Sequence, residues 1–286
     1  MEGLNAISIP LAVRIELCRA AVQTIADRQG VRMLHIKGAA VDPVIRPNAR
    51  SGTDVDVLCD PARIDEMHAR LREHGWRLHS TFDDGSPFAH AQTYWHPDWG
   101  YLDLHRRFPG IGIADDDAFA LLWHDRGPHT CAGRAAQVPS LDAQIVLLML
   151  NLARRSEDHG GEVERAWAEQ SDDDRARRTR LVAELRAEVA LAAATGELER
   201  YRDRREYALW KAVSDGGSRT REWWARVRAA GTTWEAIRIV LRAPRPNLSR
   251  LTRELGREPT GRDVTAAMVR RARTAVNELL TARRAR

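Results

Sequence analysis

Asp54 and Asp56 stand two residues apart in SGTDVDVLCDP, and Asp103 lies in YLDLHRRF. Both segments alternate polar and apolar residues. On a strand, positions i and i+2 share one face and sit roughly 7 Å apart. Two carboxylates at that spacing offer the hard oxygen ligands that magnesium takes. A third acid brought in by another strand would complete the set, but three such charges repel one another and raise their own pKa values. A bound divalent cation is the natural compensating charge, so Asp54, Asp56 and Asp103 read as metal ligands and catalytic groups.

Lys37 and Gly38 close an earlier short apolar run. A glycine turn between strand and helix presents backbone N–H groups to an anion, and a lysine beside it can neutralise a triphosphate. Of the 45 basic residues only Lys37 and Lys211 are lysine. A compact ammonium retained among so many arginines points to a narrow phosphate-facing position for Lys37. Arg50, Ser51 and Gly52, just before the acidic strand, offer a further phosphate contact. His90, His96 and His105 lie near the acidic face, but magnesium prefers oxygen to imidazole. His105 shares a strand face with Asp103 and is placed to orient that carboxylate or to touch phosphate. Trp95 and Trp99 could stack on a base, although tryptophan beside a turn more often packs. Ser140 and Ser156 have no histidine and acid arranged around them, which excludes serine hydrolysis.

The elements that must position these residues follow from periodicity. Residues 11–29 carry the spacing of an amphipathic helix that stops at Gly30, and Val31 to Ile36 form a first strand. AAVDPVIRP reads as a short helix broken before Pro47. The acidic strand comes next, then a helix over 62–74 stopped by Gly75, then an extended segment from Trp76. HAQTYWHPDWGYLDLHRRF folds as two strands around a turn at 97–100, with Asp103 mid-strand between Leu102 and Leu104. From Ser140, a helix N-cap, the pattern is helical to the end, with breaks at 215–218, in APRPNLS and at 256–261. Trp223, Trp224 and Trp234 read as packing residues of that half. The expected fold is α/β of the α+β kind: a small mixed-sheet domain over residues 1–135 followed by an all-helical domain over 136–286.

Length and composition agree with a globular chain of 286 residues. No window approaches the roughly 18 apolar residues of a membrane span, and charges interrupt the N-terminal apolar stretch, so no membrane is expected and the cytoplasm is the default location. Cys18, Cys59 and Cys131 are too scattered for a zinc or disulfide framework and read as buried free thiols. The net charge of +5 is uneven: residues 1–130 hold 14 basic and 18 acidic side chains, leaving the remainder strongly basic. The basic charges are interspersed with acids, as on solvated helix faces, and the arginines from Arg270 to Arg286 read as a solubilising terminus.

Taken in order, HIKGAA, RSGTDVDVL, the helix ending in HGW, and YLDLHRRF resemble the uncharacterised nucleotidyltransferase family of the polymerase-beta-like superfamily. Lys37 and Gly38 match its Lys-Gly turn. Arg50, Asp54 and Asp56 match its acidic strand, and Asp103 and His105 match a later strand in which glutamate is usual at the aspartate's position. VPSLDAQIVLLMLNLARR is similar to the helical region that follows, with Asn151 where histidine is common. The resemblance spans about residues 10 to 155. It implies an enzyme that binds a nucleoside triphosphate and two magnesium or manganese ions, held by Asp54, Asp56 and Asp103. Lys37, Gly38, Arg50, Ser51, Gly52 and His105 would contact the nucleotide. It further implies attack of an acceptor hydroxyl on the α-phosphorus with release of pyrophosphate, Asp103 taking the proton. The acceptor class is a peptide, protein or small molecule, including tailoring of peptide natural products. A tRNA acceptor is less favoured because the catalytic half is acidic. Phosphoryl transfer by the same site, a tRNA-modifying toxin and a non-catalytic nucleotide- or RNA-binding module are the alternatives.

Overall fold

The computed structural model describes residues 9–46, 52–82, 88–154, 161, 163–216, 219–242 and 259–284, with the single residues 246, 251, 255 and 257. Helix α1 (Leu11–Gln29) ends at Gly30, whose φ of 62° lets its N–H reach the carbonyls of Ala26 and Asp27. Strand β1 (Met33–Ile36) follows. The short helix expected over AAVDPVIRP does not form: only Gly38–Ala40 make a single 3₁₀ turn. The reason is local. Pro43 has no N–H to donate, and the Asp42 side chain accepts the Val44 N–H at 2.9 Å, a turn bond that competes with helix.

Strand β2 (Asp54–Cys59) carries the acidic pair. Helix α2 (Ile64–Glu73), strand β3 (Arg77–Ser80), strand β4 (Ala91–His96) and strand β5 (Gly100–His105) come next, as the alternation and the turn at 97–100 require. The strands form one sheet in the order β1-β2-β5-β4-β3. β2 and β5 run parallel, and the other neighbours are antiparallel. The sheet is therefore mixed, as expected.

Helix α3 (Asp115–His124) and a hairpin of β6 (Gly127–Cys131) and β7 (Arg134–Val138) stand where the sequence shows little periodicity. GPHTC and RAAQV hold few large apolar or β-branched residues, so their strand signal is weak. The boundary expected after residue 135 falls within β7. Ser140 caps helix α4 (Leu141–Leu152), its hydroxyl accepting the Ala143 N–H. The chain continues through α5 (Asp172–Glu184), α6 (Glu188–Ala194), α7 (Tyr207–Ser214), α8 (Arg219–Ala229), α9 (Thr233–Arg242) and α10 (Gly261–Arg284).

Two apolar clusters hold the sheet. Val55, Val57, Leu102 and Leu104 pack with Ile15, Val22, Met67 and Leu71 of α1 and α2. Leu34, Ile36 and Leu58 pack instead with Val146 and Leu150 of α4, in a cluster that runs on to Leu185 and Trp210. Helices thus cover most of one face and the β1 end of the other, and the open remainder of that second face carries the acids. Cys18, Cys59 and Cys131 are buried and free. Trp224 and Trp234 depart from expectation: they are 51% and 72% exposed. Arg226 lies over the Trp223 ring, and helices α8 and α9 leave the other two indoles toward solvent. No helix among the described residues is long and apolar enough to cross a membrane.

Candidate active site

Strand register assembles the site. β2 and β5 pair with Asp56 opposite Asp103, and the same row continues to Ile36 on β1 and Thr93 on β4. Direct partners share a face, so the two carboxylates point the same way. Asp54 lies two residues back along β2 on that face, opposite Tyr101. Donor atoms of Asp56, Asp103 and His105 lie within 4.8 Å of one another, a compact group to which Asp54 does not belong.

Asp56 is the hub. Its Oδ1 accepts from Lys37 Nζ at 2.7 Å and from His105 Nε2 at 2.8 Å. Burial by itself would raise the Asp56 pKa, but the Lys37 ammonium and the His105 hydrogen bond outweigh it and hold the carboxyl well below its usual range. An ionised carboxylate can only accept, so His105 carries its proton on Nε2. Burial, with Lys37 adding to it, lowers the His105 pKa to about 4, which keeps the ring neutral at ordinary pH. His105 does share a face with Asp103, as expected, but its hydrogen bond goes to Asp56 rather than to the Asp103 carboxylate.

Asp103 is held differently. Burial first, and the Asp56 charge second, push its pKa up to about 6. Thr93 donates its hydroxyl to Asp103 Oδ1 at 2.7 Å, which fixes the carboxyl and leaves Oδ2 free of that bond. Asp54 is also raised, by burial and then by Asp56. Among the described residues Lys37 is the ammonium facing these acids, and Asp54 and Asp103 are held above their ordinary range by burial first and the Asp56 charge second. Three carboxylates on one face, two of them raised in this way, fit a divalent cation with hard-oxygen preference.

Lys37 reaches Asp56 from an unusual backbone. Its φ of 58° and ψ of −176° place it where glycine is normally required. The conformation turns the chain sharply after β1 and sends the side chain over the sheet, where Nζ lies 5.7 Å from the centroid of the Phe108 ring. Phe108 in turn stacks on His105. Gly38 follows at φ 47° and opens the 3₁₀ turn. Gly52 stands at the entrance of β2, while Arg50 and Ser51 lie outside the described residues.

Thr93 and Phe108 touch the site's residues in ways that residue type alone did not suggest. Thr93 had a readable signal, since counting outward from the turn at 97–100 sets it opposite Asp103. Phe108 had none, because its place depends on how the chain leaves β5. The other two candidate histidines make ring contacts. His96 packs between Trp76 and Trp99, and His90 lies against His105. Trp95 lies under Arg77.

No curated protein matches the chain. Among solved structures, the lincosamide antibiotic adenylyltransferase LnuA, bound to lincomycin, is 14% identical, with a TM-score of 0.35 over 64% of this chain and 97% of its own. The antibiotic-resistance factor ANT(2'')-Ia is 17% identical, with a TM-score of 0.35 over 65% of this chain and 92% of its own. Neither likeness is close enough to bear on what this chain acts on. The family model described as uncharacterised nucleotidyltransferase matches residues 12–196, which include β1 to β5 and every acid of the site. The chain belongs to the uncharacterised nucleotidyltransferase family.

Proposed function

We propose that this protein transfers a nucleotidyl group from a nucleoside triphosphate to a hydroxyl on a peptide, protein or small-molecule acceptor. The observation that carries this reading is the Asp56–Asp103 register pair with the Lys37 ammonium against one of its members. Asp54, Asp56 and Asp103 would hold divalent metal, magnesium or manganese. A bound ion supplies positive charge to the triphosphate and polarises its oxygens.

The chain's own residues do the rest. Lys37 is half of an ion pair in this state, and its side chain is 21% exposed, so its ammonium can turn from Asp56 to a phosphate oxygen. The Lys37-Gly38 turn and Gly52 line the approach for the phosphates. His105 keeps Asp56 in its rotamer while Lys37 moves. Asp103 would accept the proton of the incoming hydroxyl at Oδ2 while Thr93 steadies Oδ1. The hydroxyl oxygen bonds to the α-phosphorus, the bond from that phosphorus to the bridging oxygen breaks, and pyrophosphate leaves.

The test incubates the protein with each of the four labelled nucleoside triphosphates, magnesium and candidate acceptors, and reads pyrophosphate release and the acceptor's mass. A gain of one nucleotidyl group, lost in Asp56→Asn, supports the proposal. A gain of phosphate with nucleoside diphosphate release would make the site a phosphotransferase instead. Metal-dependent nucleotide binding without turnover on any acceptor would make it a binding module.

A further inference from the structure

A groove of about 920 Å³ opens beside the site, between the loop that follows β5 and helices α6 and α7. We propose that this groove seats the acceptor, and that the acceptor is a polypeptide segment bearing a hydroxyl side chain. The proposal deepens the nucleotidyl-transfer reading and rests on it.

Position is the first argument. The chain runs from His105 on Asp56 to Phe108, which touches both His105 and Lys37, and then directly into the groove wall at Gly110 to Ile113. On the other side Phe88 packs on Trp210 with ring centroids 4.9 Å apart, and both line the groove. Phe88 and Arg107 of the groove wall stand two residues from His90 and His105, whose ring centroids lie 5.0 Å apart, so the groove borders the site.

The wall is built for close packing. A Cβ on Gly110, whose φ is +99°, would come within 2.7 Å of the Ala190 Cβ, and one on Gly112 within 2.7 Å of the Arg186 carbonyl oxygen. The Gly112 N–H donates to the Leu185 carbonyl at 2.8 Å. The loop is thereby clamped to the turn before α6, so the groove is concave without an occupant to shape it.

Charge selects the occupant. Four arginines and four acids line the groove. Arg107 pairs with Asp115 at 3.0 Å and Arg205 with Glu206 at 2.9 Å. Among the described residues Arg186, Arg204, Glu188 and Asp203 make no ion pair, so charge of both signs is offered to a ligand. Nucleic acid requires a predominantly basic surface and a polycation an acidic one. A chain carrying both signs matches, and Val189, Leu209 and Trp210 provide apolar surface for its side chains. The volume lies at the upper end of small-ligand sites, roughly 300–1,000 Å³, and has room for several residues.

The experiment presents the full chain, magnesium and α-labelled nucleoside triphosphates to an arrayed library of serine-, threonine- and tyrosine-centred peptides with randomised flanks. A mixed tRNA pool and a panel of small polyols run in parallel. Binding of a fluorescent nucleoside triphosphate is measured on the same samples. Label should enter a subset of peptides with mixed-charge flanks. Arg204→Glu and Arg186→Glu, both at exposed positions, should raise KM for those peptides at least tenfold. The same variants should leave nucleotide affinity and melting temperature unchanged. Label confined to tRNA or polyols, or peptide labelling indifferent to both reversals, overturns the groove assignment while the transfer reading stands. Absence of both nucleotide binding and pyrophosphate release with every acceptor overturns the transfer reading and the groove's role together.

Discussion

Lys37 combines strain with charge, and the two can be separated by substitution. Its backbone conformation costs a non-glycine residue about 1–3 kcal/mol. Lys37→Gly and Lys37→Ala both remove the ammonium from Asp56, but only glycine relieves the strain. Both should lose at least a hundredfold in nucleotidyl transfer. The glycine variant should be the more stable by about 1 kcal/mol or more in urea unfolding; equal stabilities would show that the backbone is not strained. Asp103 makes a parallel case. Its folded pKa of about 6 lies above the ordinary carboxylate value of 3.8, so the stability it contributes is full below pH 3.8 and lost as pH rises through 6. At pH 8 without divalent ions, Asp103→Asn should therefore stabilise the fold by about 1–3 kcal/mol while abolishing transfer. A destabilised Asn variant, measured by thermal unfolding, would contradict the account by burial and like charge. Residues chosen for stability alone would not be arranged this way.

At the scale of elements, the parallel pairing of β2 with β5 decides the site. A slip of one residue would turn Asp103 to the α1 side and put Leu102 or Leu104 against Asp56. Leu102 and Leu104, fully buried against α1 and α2, fix the register. Helix α1 is in turn tied to β1 by a buried polar chain: His35 hydrogen-bonds Gln23 through Nε2 at 3.0 Å, and Arg19 donates to His35 Nδ1 at 3.5 Å. That pattern needs a neutral imidazole. Burial, with Arg19 adding to it, lowers the His35 pKa from 6.5 to about 3. The sign is fixed by the depressed value: this contribution is full above pH 6.5 and is lost as pH falls toward 3. The slope is roughly 1.4 kcal/mol per pH unit for the one proton involved. Urea unfolding free energies between pH 7 and pH 4.5 should fall more steeply for the native chain than for His35→Gln. Parallel curves would place the acid sensitivity elsewhere.

For the whole molecule, the proposed division into a mixed-sheet part over 1–135 and a helical part over 136–286 meets a shared core. Leu34, Ile36 and Leu58 of the sheet and Val146, Leu150 and Trp210 of the helices belong to one cluster. Residues 1–135 alone would expose the first three to water, at a cost of roughly 1.5–3 kcal/mol for each large side chain. That fragment should show no cooperative unfolding transition, whereas residues 1–216 should unfold in one step by circular dichroism. A cooperative 1–135 fragment would establish independent folding. Much of the site was legible beforehand because strand alternation is a local property. The face shared by Asp54 and Asp56, the mid-strand position of Asp103 and the turn after Lys37 all follow from neighbours within a few residues. The same locality misled over AAVDPVIRP, where a proline and an aspartate side chain defeat a helical pattern, and it gave little warning of β6 and β7, whose strand residues are small. The exposure of Trp224 and Trp234 shows that residue type does not fix burial. By itself the sequence determined the chemistry available: which carboxylates share a face, which lysine stands near them, and which family the motifs resemble. Tertiary structure alone decided that Asp56 meets Asp103, that His105 serves Asp56, that Thr93 steadies Asp103 and that a groove opens beyond Phe108. Those contacts join residues up to 49 positions apart, and only the packing of α1, α2 and α4 on the two sheet faces brings them within reach of one another.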